Sequence, residues 1–268
     1  MVAPLRNGSN RGHRDWYLHS CAALRKPIGA EEPPLKSLLA CVVILGGTAI
    51  AIGSAQTPPA APAATDVYHV HFTKAVPGQA AALGKALSVP DKASPMPEHF
   101  VVLRHQEGDD WDYVVIEHLG PKAEVTAAAP AGPDPARDLR AWHSDTFVSG
   151  PSWAVFSREM GLGGSAGGGS PVYIVGVQRA IAGHRDQLTK SLTTIDPAAK
   201  IVTGNVFLTH LEGGEWTFAT ITRYNSWADL GADRAGAATA ASVGGWDDIR
   251  QHSAFHRDTI ADRIYPAK

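Results

Sequence analysis

The sequence predicts an α+β fold built from two tandem copies of one β-α-β-β-α-β unit, and three observations carry that prediction. Segments recur at a constant displacement: Val67-Tyr68 returns as Val172-Tyr173, a displacement of 172 minus 67, or 105. Each copy holds two apolar runs around a glycine-containing turn, the pattern of a β-hairpin. Each copy also places two leucines at helical spacing after its first alternating run, Leu83 with Leu87 and then Leu188 with Leu192. A displacement that holds through several separate segments marks a repeated architecture before any single element is assigned.

The elements follow in order. Tyr68, Val70 and Phe72 alternate with polar residues as a half-buried strand does, and Tyr173, Val175 and Val177 match them. Val76-Pro-Gly78 corresponds to Ile181-Ala-Gly183, and the leucine pairs then mark a helix. Strands are expected over 100–106 and 111–119, and again over 206–211 and 216–224. Gly108-Asp109 and Gly213-Gly214 supply the positive φ of the tight turns between them. Leu103-Arg-His-Gln-Glu-Gly108 maps onto Leu208-Thr-His-Leu-Glu-Gly213, and Trp111 onto Trp216. A second helix is expected to hold Ala141-Trp-His-Ser-Asp-Thr-Phe147, which resembles Ala254-Phe-His-Arg-Asp-Thr-Ile260 at a displacement of 254 minus 141, or 113. The extra length of the second copy falls in the Gly/Ala-rich stretch Leu230 to Gly245. Trp153-Ala-Val-Phe156 reads as a last strand, shortened in the second copy to Ile264-Tyr265.

The domain organisation has six parts. Residues 1–36 are polar with scattered arginine and lysine, and 37–55 are uncharged and apolar. A basic stretch, an apolar run and small residues such as Gly53 and Ala55 describe a secretory signal. Three readings stay open: a cleaved signal peptide, a retained membrane anchor of about 19 residues, or lipidation at Cys41. All three place the folded part outside the cytoplasm, periplasmic or secreted, and touch the membrane only through this segment. Residues 56–65 form a Pro/Ala spacer, 66–160 the first copy, 161–170 a flexible Gly/Ser linker and 171–268 the second copy.

Composition narrows the function classes. An apolar share of 44% and a charged share of 19% are those of a chain that buries a core. A net charge of -2 without a basic stripe argues against nucleic acid as a partner, because phosphate binding needs clustered lysine and arginine. Cys21 and Cys41 both precede the copies, so neither a disulfide framework nor thiolate chemistry belongs to them.

The order β-α-β-β-α-β is the split βαβ, or ferredoxin-like, module. Two such modules in tandem resemble the dimeric α+β barrel superfamily, which includes antibiotic-biosynthesis monooxygenase-like and NIPSNAP-like proteins. The resemblance spans residues 66–265, is architectural, and carries no catalytic motif onto this chain. It implies an intrachain pseudo-dimeric barrel in which two sheets enclose a cavity. By the same resemblance the chain binds a small molecule in that cavity, or performs cofactor-independent or haem- or metal-linked oxidation. Fold alone does not set function, so a protein-interaction module using exposed sheet edges or the truncated end of the second copy stands beside these readings.

The candidate residues are mostly histidines. His105-x-Glu107-Gly108-x-x-Trp111 recurs as His210-x-Glu212-Gly213-x-x-Trp216. Its structural reading is a glycine turn covered by tryptophan; its functional reading is a pair between His105 and Asp112, which the hairpin register sets opposite each other. His210 faces Thr217 instead. His143-x-Asp145-Thr146 recurs as His256-x-Asp258-Thr259. On a helix such residues diverge, so they are expected at a helix end, not as a dyad. His69 and His71 are two apart on one strand and share a face, while His99, His105 and His118 share a face of the adjoining strands, with His99 opposite His118. Histidines converging on a sheet face can bind a transition metal or haem iron. His69 and His71 are the metal candidates, without a complete ligand motif, and the cofactor is undetermined. Because His69 and His71 become Ile174 and Gly176 in the second copy, any ligand site is expected to draw on the first.

Overall fold

The structure is a computed structural model that describes residues 65–125, 134–163, 170–194, 200–212, 214–239 and 245–267. The expected signal or anchor, most of the spacer and most of the Gly/Ser linker lie outside these residues. The described elements are β1 (Asp66–Ala75), α1 (Ala80–Leu87), β2 (Phe100–Glu107), β3 (Tyr113–Pro121), β4 (Arg140–Gly150) and α2 (Trp153–Glu159). They continue with β5 (Val172–Ala180), α3 (Arg185–Thr193), β6 (Val202–Glu212), β7 (Phe218–Tyr224), α4 (Trp227–Thr239), α5 (Gly245–His252) and β8 (Ser253–Tyr265). A 3-10 turn at Arg137–Leu139 leads into β4.

The strands pair antiparallel in a closed barrel of order β1-β3-β2-β8-β5-β7-β6-β4. Around the ring the first half runs β4-β1-β3-β2 and the second β8-β5-β7-β6, the same order with each number raised by four. The halves join where β2 meets β8 and where β4 meets β6. Closure gives every described strand a neighbour on both sides, although β4 meets β6 only over Phe147–Ser149, so the sheet edge that a docking partner would use is confined to short stretches such as the first part of β4.

Both hairpins keep the predicted register. The His105 N–H donates to Asp112 O at 2.9 Å, the His210 N–H to Thr217 O at 3.0 Å, and the His118 N–H to His99 O at 2.8 Å. Gly108 has φ +130°, as the turn requires, whereas Gly213 lies outside the described residues. The leucine pairs sit on α1 and α3 as expected.

Two expectations are corrected. The His-x-Asp-Thr segments are strands, not helices: His143 lies on β4 and His256 on β8. Trp153–Phe156 is the start of helix α2, not a strand. Phe156 and Met160, four residues apart and both 0% exposed, are the helical signal there.

Alternation on the strands sorts side chains into two layers. Tyr68, Val70, Leu103, Tyr173, Val175 and Leu208 fill the barrel together with Trp111 and Trp216. Side chains fill most of that interior, and what remains of the cavity expected between the sheets is an opening at the hairpin-turn end lined by Phe72, Trp111, Val177 and Trp216. On the outer face Phe100, Val102, Tyr113 and Val115 carry Leu83 and Leu87 of α1, and Val172, Ile174 and Tyr224 carry Leu230 of α4. Each such leucine contributes about 1.5–3 kcal/mol by leaving water.

Helix α2 closes the barrel end opposite the hairpin turns. Its last carbonyls lack intrahelical partners, and two guanidinium groups supply them. Arg223 Nε donates to Glu159 O at 2.9 Å, and Arg263 Nη1 donates to Met160 O at 3.1 Å and Gly161 O at 3.2 Å. The positive charges also suit the negative end of the helix dipole. Among the described residues no helix is long and apolar enough to cross a membrane.

Candidate functional site

The odd-numbered residues of β1 face outward. Register sets His69 across from Glu117 on β3, and His71 between Val115 on β3 and Asp145 on β4. Thr73 pairs with His143, which places His143 on the same outward face. Helix α1 and the loop after it cover this face and leave a cavity of about 480 Å³. Its polar wall is His69, His71, Glu117, Arg140, His143 and Asp145; Leu87, Val89 and Pro90 form its apolar roof.

The two strand histidines are tuned in opposite directions. Burial pushes the His69 imidazole down, but Asp145 and Glu117 outweigh it and hold its pKa up at about 9. Both ring nitrogens donate, Nδ1 to Glu117 Oε2 and Nε2 to Asp145 Oδ1, each at 3.0 Å. For His71, burial and the nearby Arg140 charge press the pKa down to about 4. Its Nε2 is buried and has no hydrogen-bond partner among the described residues, and the same holds for Arg140 Nε in the same wall. Arg140 also pairs with Asp134. On a strand, residues two apart share a face, so His143 and Asp145 form the contact that a helix would have denied them: His143 Nε2 lies 3.2 Å from Asp145 Oδ2. His69 in turn holds the Asp145 carboxyl below its ordinary range.

The remaining predicted residues lie elsewhere. His118 and His105 point into the barrel, on the face opposite His69 and His71. His118 Nε2 donates to Asp66 Oδ2 at 2.8 Å, and its Nδ1 lies 3.2 Å from His99 Nδ1. Trp153 stacks on His99 at 4.5 Å and on His118 at 5.4 Å. Burial keeps His118 below the ordinary histidine range despite the Asp66 carboxylate. Asp112 does not pair with the His105 ring; its Oδ2 accepts the Ala75 N–H at 2.7 Å and ends β1. His210 Nε2 accepts the Gly214 N–H at 2.7 Å. The equivalent Asp109 N–H donates to Thr259 Oγ1 at 3.2 Å instead, which leaves His105 Nε2 buried without a partner. His256 contacts Asp258 at 2.9 Å in the second half.

The matching place in the second half is crowded at the position of His71. Gly176 stands where His71 would, and Asp258 Oδ1, Gln178 Nε2 and Thr220 Oγ1 crowd the space a side chain would need, within 2.8–2.9 Å of a Cβ. Sequence reasoning missed Glu117 and Arg140. The hairpin register could have placed Glu117 on the strand beside β1; nothing in the sequence signals Arg140.

Metal and haem do not suit this wall. His69 has both ring nitrogens committed to carboxylates, and among the described residues no group of three or more ligand-type side chains is arranged to hold a metal ion. His71 Nε2 offers one axial donor, yet Asp91, Glu117, Asp134 and Asp145 line the cavity while its two cations, Arg140 and His69, are already paired with Asp134 and with Glu117 and Asp145, so the propionates of a haem would meet repulsion.

No protein-family model matches the chain, and no curated protein does either. Among solved structures it is similar to an anthrone oxidase-like protein at 14% identity, over 75% of this chain and 92% of that one, with a TM-score of 0.48. A candidate monooxygenase from Lactobacillus acidophilus NCFM follows at 11% identity, over 75% and 94%, with a TM-score of 0.42. A candidate chlorite dismutase shares 8% identity, over 74% and 95%, with a TM-score of 0.40. The ring of strands in this chain, two four-stranded halves closed over one apolar core, is the dimeric α+β barrel architecture that its sequence resembles.

Proposed function

We propose that the chain binds a small organic molecule in the cavity between α1 and the outward face of β3, β1 and β4, and that the neutral His71 ring hydrogen-bonds to it there. The observation that carries this reading is the buried, unpartnered Nε2 of a neutral imidazole on the wall of that cavity. An orphaned buried polar atom costs stability that a bound hydroxyl or N–H would return. Two adjacent groups with pKa values driven apart also fit acid–base work. A pKa of about 4 keeps His71 neutral across neutral pH, so its ring can pair with a ligand hydroxyl or N–H without taking up a charge, while the Glu117–His69–Asp145–His143 network holds its surroundings fixed. The oxidoreductase reading would use the same cavity to hold its substrate and rests on this site alone.

The test is a fragment screen by ligand-detected NMR on the full-length protein and its His71→Phe variant. Fragments bearing a hydroxyl or N–H should bind the first and lose binding to the second. Hits that bind both equally would end the proposal.

Two further readings belong here. The constant displacement of 105 and the matching strand order of the two halves support descent from one duplicated unit. The uncharged segment 37–55 supports export. Fractionation of cells making the tagged full-length chain tests the second, and a wholly cytoplasmic product would end it.

A further inference from the structure

The most repeated signal in the sequence, His-x-Glu-Gly-x-x-Trp, takes no part in the cavity under α1. Its two tryptophans instead build the barrel end formed by the β2–β3 and β6–β7 turns. Trp111 and Trp216 are 4% and 8% exposed there. Phe72 stands edge-on to both, with ring centroids 5.6 Å from Trp111 and 6.5 Å from Trp216. Trp142, 37% exposed, completes the ring of aromatic side chains from β4. At the displacement of 105, Phe72 corresponds to Val177, and the smaller side chain fits with an opening of about 230 Å³ between the rings. Asp109 and Glu215 stand on its rim. Arg257 lies across them with Nη1 3.5 Å from Asp109 Oδ2 and 3.9 Å from Glu215 Oε1, both longer than a firm charged hydrogen bond.

We propose that this mouth binds an organic cation of the quaternary ammonium class. Aromatic ring faces attract such a cation and replace the water it leaves, and it has no N–H groups that would go unpaired inside an aromatic wall. The rim carboxylates match its charge. Arg257 reaches the carboxylates only at these long distances and has the Phe255 ring 5.4 Å away to rest on instead, so the guanidinium acts as the resident competitor for the ligand. The site shares no residue with the cavity under α1 and stands independently of the function proposed for it.

Choline is the probe, titrated into the full-length protein and followed by tryptophan fluorescence and calorimetry, with 3,3-dimethyl-1-butanol as the uncharged molecule of the same shape. Choline should bind saturably and about tenfold or more tighter than the alcohol. Trp142→Ala changes an exposed side chain and should weaken choline by a similar factor while leaving the melting temperature in place. Glu215→Gln should weaken it, whereas Arg257→Gln should tighten it by removing the competitor. His71→Phe should change nothing. Equal binding of alcohol and choline, absence of saturation, or indifference to Trp142→Ala would each overturn the assignment.

Discussion

His69 and His71 share a strand face, yet only His69 has carboxylates within hydrogen-bond reach on both sides. The consequence is a stability term with a definite sign. The His69 pKa rises from 6.5 to about 9 on folding, so its contribution is fully present below pH 6.5 and is lost as pH climbs through 9. The melting-temperature gap between the wild-type protein and His69→Gln should therefore be widest near pH 6 and narrow between 6.5 and 9. His71 behaves oppositely: its pKa falls from 6.5 to about 4, so it costs stability as pH drops through that window, and His71→Phe should flatten the acid side of the profile. A pH series of thermal melts checks both, and a constant gap for His69→Gln would show that Glu117 and Asp145 do not hold the proton. Gly84 gives a third residue-scale outcome. Alanine normally improves a helix interior, but a Cβ here would lie 2.6 Å from Tyr113 Oη and 2.8 Å from its Cζ. Tyr113 is buried and bonded to Ala80 O at 2.8 Å, so it has little room to move. Gly84→Ala should cost about 1–3 kcal/mol by overpacking, read by urea denaturation.

At the scale of elements, the parts legible in the sequence are those whose apolar pattern matches one face. β1 alternates apolar and polar residues from Tyr68 to Thr73, β5 is legible as the run Val172–Val175, and α1 and α3 show their leucines four apart. β4 was illegible because residues 141–145 are exposed and only its last third turns Thr146, Val148 and Gly150 inward, which leaves no alternation to read. Helix α2 misled through Trp153, Val155 and Phe156, residues that favour strands, although the burial that places it comes from Phe156 and Met160. The site was half legible for the same reason. His69 and His71 were visible as neighbours on a strand, but their partners came from β3 and from a β4 that the pattern concealed. Because Phe156 is the fully buried residue within α2, Phe156→Ala should cost about 3–5 kcal/mol, as loss of a buried phenylalanine does. A loss under 1 kcal/mol in chemical denaturation would mean that α2 is not part of the barrel core.

For the whole molecule, the last strand in the chain sits in the middle of the ring. β8 lies between β2 and β5, pairing Leu103 with Arg263 on one side and Ile174 with Ile260 on the other. A growing chain thus carries seven of these strands with two open edges until Ser253–Tyr265 is added, and such edges pair readily with other chains. Closing the ring also brings together partners far apart in sequence, a slow step in folding. A chain ended at His252 should associate or aggregate in size-exclusion chromatography, and a soluble monomer would contradict this. The missing strand is a single contiguous segment, Ser253–Tyr265, that needs no turn of its own to enter. Supplied as a separate peptide during refolding, it should complete the ring in trans, which makes this barrel a natural two-piece complementation system whose reassembly reports that both pieces have met.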